Sequence, residues 1–358
     1  MIKKTLFLTL VILKATYAAP QFKLADPIVD DRYEFNTQAL CATAKETLAY
    51  LDKGADYDPD VIHPGKAIQI PLDRIKMTLR FVCAHQNELN NPNFIQKHFE
   101  FIRWYPDKTQ AKPLATAKPL LKNLPTDQIL MTKYYVHLAK AAEKPIENKS
   151  FALYALPDDE QNLTLEEANR KPELTRFQFG KQAILKGALT NKNVSALAYV
   201  SRDDLEAALM QGTIIADFGH YKKIFNVHRN NNIAYDSLKK PTQQERFWYF
   251  KSVQGVQGYG KDADYKISIN PEVTFAADLK QLGLGKLLMI QYQNRTGQII
   301  SRAGILADTG GAFADNLYQV DFLAGTYSSK EAYNQATRNI PNYVAAYFLV
   351  LKDDSKKA

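Results

Sequence analysis

The chain has 358 residues, 46% of them hydrophobic and 23% charged, which excludes a largely disordered chain and leaves room for two cores. Its formal charge of +8 comes from scattered Lys and Arg. That distribution argues against nucleic acid as a partner and suits an anionic surface or polymer.

Residues 1–19 open with Lys3 and Lys4, continue as an apolar run from Leu6 to Leu13 and end on Ala18 and Ala19. The run is too short to span a bilayer, so a secretory signal cut near Ala18 or Ala19 is predicted, with an uncleaved anchor as the alternative. No Cys follows it that could accept a lipid. Without residues 1–19 the charge falls to +5.

The first third of the chain reads as helical. FNTQALCATAKETLAYLDKG has Asn36 or Thr37 as a cap, apolar residues at helical spacing through Leu48 and Leu51, and Gly54 as a stop. IPLDRIKMTLRFVCAHQNEL places Leu72, Ile75, Leu79 and Val82 on one face behind Pro71, and PNFIQKHFEFIRWYP is predicted as a third helix running to Pro106. The only two cysteines, Cys41 and Cys83, fall in the first two helices. In an oxidising compartment they form a disulfide or stay as two buried thiols; their spacing matches neither a redox nor a zinc motif.

Residues 107–127, rich in Lys, Pro and Thr, read as a connector, and MTKYYVHL after it as a strand. LTLEEAN offers a capping box, Thr164 with Glu167, and SRDDLEAAL starts a helix at Ser201. In the last third, RFWYFKSV, EVTFAADL, KLLMIQYQ, IISRAGILAD, LYQVDFLAG and YVAAYFLVLK are short apolar or alternating runs separated by turn residues. Six such runs predict a small β-barrel, whose closure would bring acids together from distant parts of the chain.

Asp308-Thr309-Gly310 is the tripeptide that carries the catalytic acid of aspartic proteases, but those enzymes pair two such elements. The chain has no second one, since Asp217 is followed by Phe218 and Gly219. A monomeric pepsin is excluded, and a homodimeric protease would leave most of the chain without a role. His63, His85, His98, His137, His220 and His228 lack metal-ligand spacing, and no phosphate-binding Gly loop follows a strand, so neither metal nor cofactor is expected.

INPEVTFAADLKQLGLGKLLMI, ILADTGGAF and VDFLAG together resemble the three-aspartate, double-psi β-barrel domain of the membrane-bound lytic transglycosylase A family, with the acids at Asp278, Asp308 and Asp321. ALCATAKETLAYLDKG, MTKYYVHL, LTRFQFGKQAILKGAL, MQGTIIADFG and ERFWYFK resemble further family segments in the same order, over roughly residues 36–352. The resemblance implies a mainly β fold with N-terminal helices. A six-stranded double-psi barrel would be formed by residues 22–135 and 236–352 and a smaller β-rich domain inserted at 136–235, with a groove between them and a tail at 353–358.

It also implies cleavage of the β-1,4 bond between N-acetylmuramic acid and N-acetylglucosamine in peptidoglycan, in the periplasm, with a 1,6-anhydro product. Asp308 is then the single acid and base, and Asp321 is the neighbour that raises its pKa. Asp278 holds the loop, and Gly310 and Gly311 let backbone approach the sugar. Thr132, Tyr134, Tyr135, Gln211 and Gly212 match groove positions, the hydroxyl and amide groups for hydrogen bonds and the two tyrosines for stacking. Peptidoglycan strands are the expected partner, with a recruiting protein of the outer membrane or cell-wall machinery beside them, and the chain is expected to act as a monomer. This chain departs from the family pattern at Lys133, at Val136-His137 and at Thr213-Ile214. The alternative is therefore a catalytically silent glycan-binding protein of the same fold.

Overall fold

The computed structural model describes residues 21–28, 33–116, 118–236, 239–261, 265–310 and 313–353, so the expected signal segment lies outside the described residues. Two of the predicted helices form as read. Helix α1, Thr37–Leu51, is capped by the Asn36 side chain, which accepts from the Ala39 N–H, and α2, Leu72–Ala84, follows Pro71. The third is shorter than predicted. Helix α3 covers Pro92–His98 only, and Phe99–Trp104 is a strand. There the sequence alternates, with Phe99 and Phe101 buried, a period of two that suits a sheet better than a helix.

The edge strand β1 (Phe22–Leu24) and its neighbour β2 (Phe99–Trp104) come first, and then the long β3, Ile129–Lys140. Strands β4 (Phe151–Tyr154) and β5 (Ala196–Val200) form a small sheet of their own. Strands β6 (Thr213–Asp217), β7 (Lys222–Asn230) and β8 (Trp248–Val253) continue the chain, before β9 (Thr274–Ala276), β10 (Leu287–Gln293), β11 (Ile299–Asp308), β12 (Gln319–Tyr327) and β13 (Tyr343–Leu351).

The main sheet runs β1-β2-β13-β10-β11-β9-β12-β3-β6-β7-β8, and β13 pairs with β3 as well. That extra pairing closes β13-β10-β11-β9-β12-β3 into a ring of six strands, with β11–β9 and β12–β3 parallel and the other pairs antiparallel. Five ring strands are those predicted from the last third of the chain. The sixth is β3, in place of the predicted Arg246–Val253 run. That run contains β8, which pairs with β7 at the far edge of the sheet. Its Phe247 and Tyr249 pack with Leu156, Ile184 and Leu189 instead. An apolar run of this length satisfies any buried strand, and only its partner's register decides where it goes.

Strand β3 belongs to two cores. Its Ile129, Met131 and Val136 enter the large cluster that ring strands share with α1, α2 and β2, whereas Ala139 enters a second cluster with Leu153, Leu205 and Phe225. Its first half pairs with β12, and from His137 onward it also pairs with β6. The ring and the β6–β8 extension therefore share one continuous strand. Ring closure also needs close backbone approach at Gly304, where a Cβ would lie 2.7 Å from the Val273 carbonyl. Outside the ring, Thr164 and Glu167 form the predicted capping box and Ser201 caps the helix Arg202–Gln211. No described helix is long and apolar enough to cross a membrane.

Cys41 and Cys83 form a disulfide between α1 and α2, 42 residues apart in sequence. Loop-closure entropy for that separation is worth about 4 kcal/mol in the unfolded chain. Replacing both cysteines by Ala is expected to lower the unfolding free energy by about 2–4 kcal/mol in denaturant titration. An unchanged midpoint would show that the bridge constrains nothing.

Candidate active site

The site is built on a row of residues across four ring strands. Asp308 on β11 faces Ala276 on β9, Ala276 faces Asp321 on β12, and Asp321 faces Thr132 on β3. Residues in register on neighbouring strands project to the same face. The two acids therefore share a face with only the Ala276 methyl between them, their backbones about 10 Å apart by two strand spacings.

The β11–β9 register slips between Leu306 and Asp308. A bulge of this kind bends the strand and re-aims the next side chain, here Asp308. The Ala307 carbonyl accepts from the Tyr259 N–H at 2.9 Å. Gly258 permits that approach, because a Cβ there would lie 2.5 Å from the same oxygen.

Both oxygens of Asp308 are held. Oδ2 accepts from the Tyr134 hydroxyl at 2.6 Å and Oδ1 from the Thr309 N–H at 2.8 Å. Thr309 Oγ1 donates to the Ala277 carbonyl at 2.8 Å and fixes the start of the loop. Burial pushes the Asp308 carboxyl up to about 6 against the opposing pull of the Tyr134 hydroxyl, the Thr309 N–H and the Lys266 ammonium. Burial also pushes Asp321 up to about 7; the Thr132 hydroxyl and Lys133 work against this, and the Asp308 charge adds to it. Oδ1 of Asp321 is buried and has no hydrogen-bond partner among the described residues. The Tyr134 phenol is held well above its usual range by burial and by Asp308, so it is a neutral donor.

A cavity of about 260 Å³ opens beside the pair. Tyr134, Asp308, Gly310 and Asp321 line it from the ring, and Gln211, Gly212, Asn226 and Val227 line it from the β6–β7 side. Gly212 sits there in the left-handed conformation, φ +79°, and ends the helix Arg202–Gln211. Gln211 accepts from the Tyr135 N–H at 3.3 Å, which fixes the helix end against β3.

Of the residues expected in the groove, Asp308, Asp321, Tyr134, Gln211, Gly212 and Gly310 line this cavity. Gly311 lies outside the described residues. Three expectations need correction. Tyr134 directs its hydroxyl at Asp308 rather than serving only as a stacking surface. Tyr135 is not in the cavity lining, because neighbours on a strand face opposite ways; its ring stacks on Tyr333 with centroids 4.7 Å apart. Thr132 is also absent from the lining, its hydroxyl accepting from Gln319 Nε2 at 2.7 Å and donating to the Val320 carbonyl at 3.3 Å.

Asp278 is 3% exposed and lies outside the cavity lining. Its Oδ1 accepts from the Gln281 N–H, capping the turn Leu279–Leu282, and its Oδ2 accepts from the Asn316 N–H at 3.0 Å. It ties the turn after β9 to the segment that leads into β12. Among the described residues no group of three or more His, Cys, Asp or Glu could hold a metal ion.

Sequence reasoning missed Lys266. Its ammonium donates to Asn226 Oδ1 at 2.6 Å and to the Val227 carbonyl at 3.0 Å, on the wall facing Asp308. Burial brings it down to about 8, with Asp308 opposing. One Lys in a chain with scattered basic residues gives no signal of its own.

This architecture has solved counterparts. The chain superposes on the membrane-bound lytic murein transglycosylase from Agrobacterium tumefaciens with a TM-score of 0.60 at 14% identity, covering 91% of this chain and 94% of that one. On E. coli MltA with bound chitohexaose the TM-score is 0.61 at 16% identity, over 94% and 96% of the two chains. The chain has the MltA fold. MltA from Neisseria gonorrhoeae gives a TM-score of 0.55 at 15% identity, over 87% of this chain and 88% of the other. No protein-family model and no curated protein matches the sequence, so the MltA likeness is one of shape.

The raised Asp308 pKa has a consequence for stability. The folded protein keeps this proton to about pH 6, whereas an unfolded Asp releases it near its ordinary value of 3.8. Ionisation therefore costs stability as the pH rises between these two values. Asp308→Asn is expected to be more stable than the parent at pH 7 by about 3 kcal/mol, and the gap to close below about pH 4. Denaturation at the two pH values checks this; a gap of equal size at both would mean that charge is not its cause.

Proposed function

We propose that this protein is an exported, monomeric lytic transglycosylase of peptidoglycan, cleaving the β-1,4 bond between N-acetylmuramic acid and N-acetylglucosamine. Protonated Asp308 gives its proton to the glycosidic oxygen as the bond from that oxygen to the muramyl C1 breaks. The C6 hydroxyl of the same muramyl residue attacks C1, and its proton passes to the Asp308 carboxylate. The products are a shortened strand and a 1,6-anhydromuramoyl end, and the aspartic acid is restored. Tethering the nucleophile to the reacting sugar is worth about 7–11 kcal/mol when the geometry is right, so no second carboxylate need activate water.

The observation that carries this reading is that both acids facing the cavity are held high, at about 6 and about 7. A glycosidase that uses water or a carboxylate nucleophile needs one acid raised and its partner left ionised. This pair suits a mechanism with one acid acting twice. In it burial keeps Asp308 protonated, where the sequence pointed to Asp321 as the cause; Tyr134 orients the acid, and Gln211 with the Gly212 and Gly310 backbone contacts the sugars. The bound chitohexaose in an MltA of the same fold agrees with a glycan in this cleft. The departures at Lys133, Val136-His137 and Thr213-Ile214 keep the silent glycan-binding protein as the second reading.

Incubation with peptidoglycan sacculi is expected to release anhydro-muropeptides detectable by mass spectrometry, with the rate falling by about 10³-fold or more in Asp308→Ala. Reducing-end muropeptides would make the protein a hydrolase, and binding without release would make it the silent form. Because the acid must carry its proton, kcat/KM is expected to fall about tenfold per pH unit above about pH 6. Tyr134→Phe removes a donor that favours the ionised form, so this limb is expected to move to higher pH while the rate falls by about tenfold. A limb that moves down or stays put would contradict the role given to Tyr134.

A further inference from the structure

Lys266 and Val227 border a second cavity of about 310 Å³ that adjoins the Asp308 cleft. Arg229, Lys261, Arg176 and Trp248 also line it, and among the described residues no Asp or Glu does. Arg176 is neutralised, since its Nε pairs with Glu160 at 2.8 Å. Among the described residues the other three cations make no salt bridge. Arg229 is 6% exposed; its Nη2 donates to the Leu163 carbonyl at 2.8 Å, and its buried Nη1 has no hydrogen-bond partner among the described residues. Lys261 Nζ bonds the Tyr57 carbonyl at 3.0 Å, and Lys266 Nζ bonds only the neutral oxygens of Asn226 and Val227. Three cations lining one cavity and holding only neutral oxygens repel one another, and a buried guanidinium nitrogen without an acceptor is costly. An arriving anion relieves both.

We propose that this second cavity is a carboxylate subsite, which takes a carboxylate borne by a muramyl residue while the sugar backbone lies in the Asp308 cleft. The assignment rests on the transglycosylase reading, since muramyl residues carry carboxylates where N-acetylglucosamine carries none. The carboxylate comes either from the acidic residues of a peptide stem or, where the stem has been removed, from the lactyl group itself. Arg229 Nη1 supplies the directed donor, Lys261 and Lys266 supply charge, and the Trp248 ring offers a flat apolar wall beside them. The subsite discriminates muramyl-containing strands from uncharged chitin-like glycans.

Binding to the Asp308→Ala protein, which does not turn substrate over, tests this by calorimetry. The probes are soluble peptidoglycan strands with stems, the same strands with their carboxylates amidated, stem-free strands with free and with amidated lactyl groups, and chitohexaose. At least one carboxylate-bearing strand is expected to bind about tenfold tighter than its amidated form and than chitohexaose, and which strand does so identifies the source. Arg229→Gln and Lys261→Gln, each added to Asp308→Ala, are expected to bring that ratio to within about twofold. Lys261 is exposed, so its variant carries the test should Arg229→Gln fail to fold. Equal binding of acid and amidated strands, an undiminished ratio in Lys261→Gln, or no binding of any strand would overturn the subsite. A charge preference with no anhydro product from the unmutated protein would leave the subsite standing and remove the transglycosylase reading.

Discussion

The 2.6 Å hydrogen bond from the Tyr134 hydroxyl to Asp308 joins β3 to β11, two strands that have β9 and β12 between them in the ring. It forms only because the ring is closed and curved enough for a long side chain to reach across two strands. A carboxyl on an open sheet edge would face water and ionise near its ordinary pKa. Here the ring wall half-buries it, and among the described residues the side-chain hydrogen bond it accepts comes from a phenol held well above its usual pKa range. The chemistry argued for this cleft depends on that enclosure.

Other features of the ring serve the same end. The slip in register after Leu306 turns Asp308 toward the cleft, and Gly258 lets a loop pack over the bulge. Ala276, between the two acids in the cross-strand row, keeps the space between them open. Asp278, with both oxygens taken by backbone N–H groups, braces the turn that feeds β12. One carboxylate of the three-acid pattern is thus used as a structural clamp, while the other two are left with raised affinity for protons. The shared strand β3 then places the β6–β7 wall, with Gln211 and Lys266's acceptors Asn226 and Val227, opposite them.

Much of this was legible in the chain because local patterns agree with the fold. The alternating runs after residue 272 form ring strands, and the Gly-rich turn after Asp308 marks the site. What was not legible depends on partners distant in sequence. Nothing local distinguishes the Arg246–Val253 run from β3 as the sixth ring strand, since both are short, apolar and aromatic. The helix predicted through Trp104 came from reading apolar content over the period-two alternation of Phe99 and Phe101. Tyr135 was a legible error: adjacent residues on one strand cannot both face the cleft, and Tyr134 already does. Lys266 and Arg229 were beyond reach, because their importance comes from what surrounds them, which among the described residues is neutral oxygen in both cases.

The central claim is that Asp308 holds its proton into the range where a glycosidic oxygen can take it. Carbon-detected NMR titration of the Asp carboxyl groups, with Asp308→Asn to assign the signal, reads this without substrate or turnover. The account predicts two displaced titrations in the cleft, near 6 for Asp308 and near 7 for Asp321. An Asp308 signal that titrates near 4, as an exposed aspartate does, would contradict it.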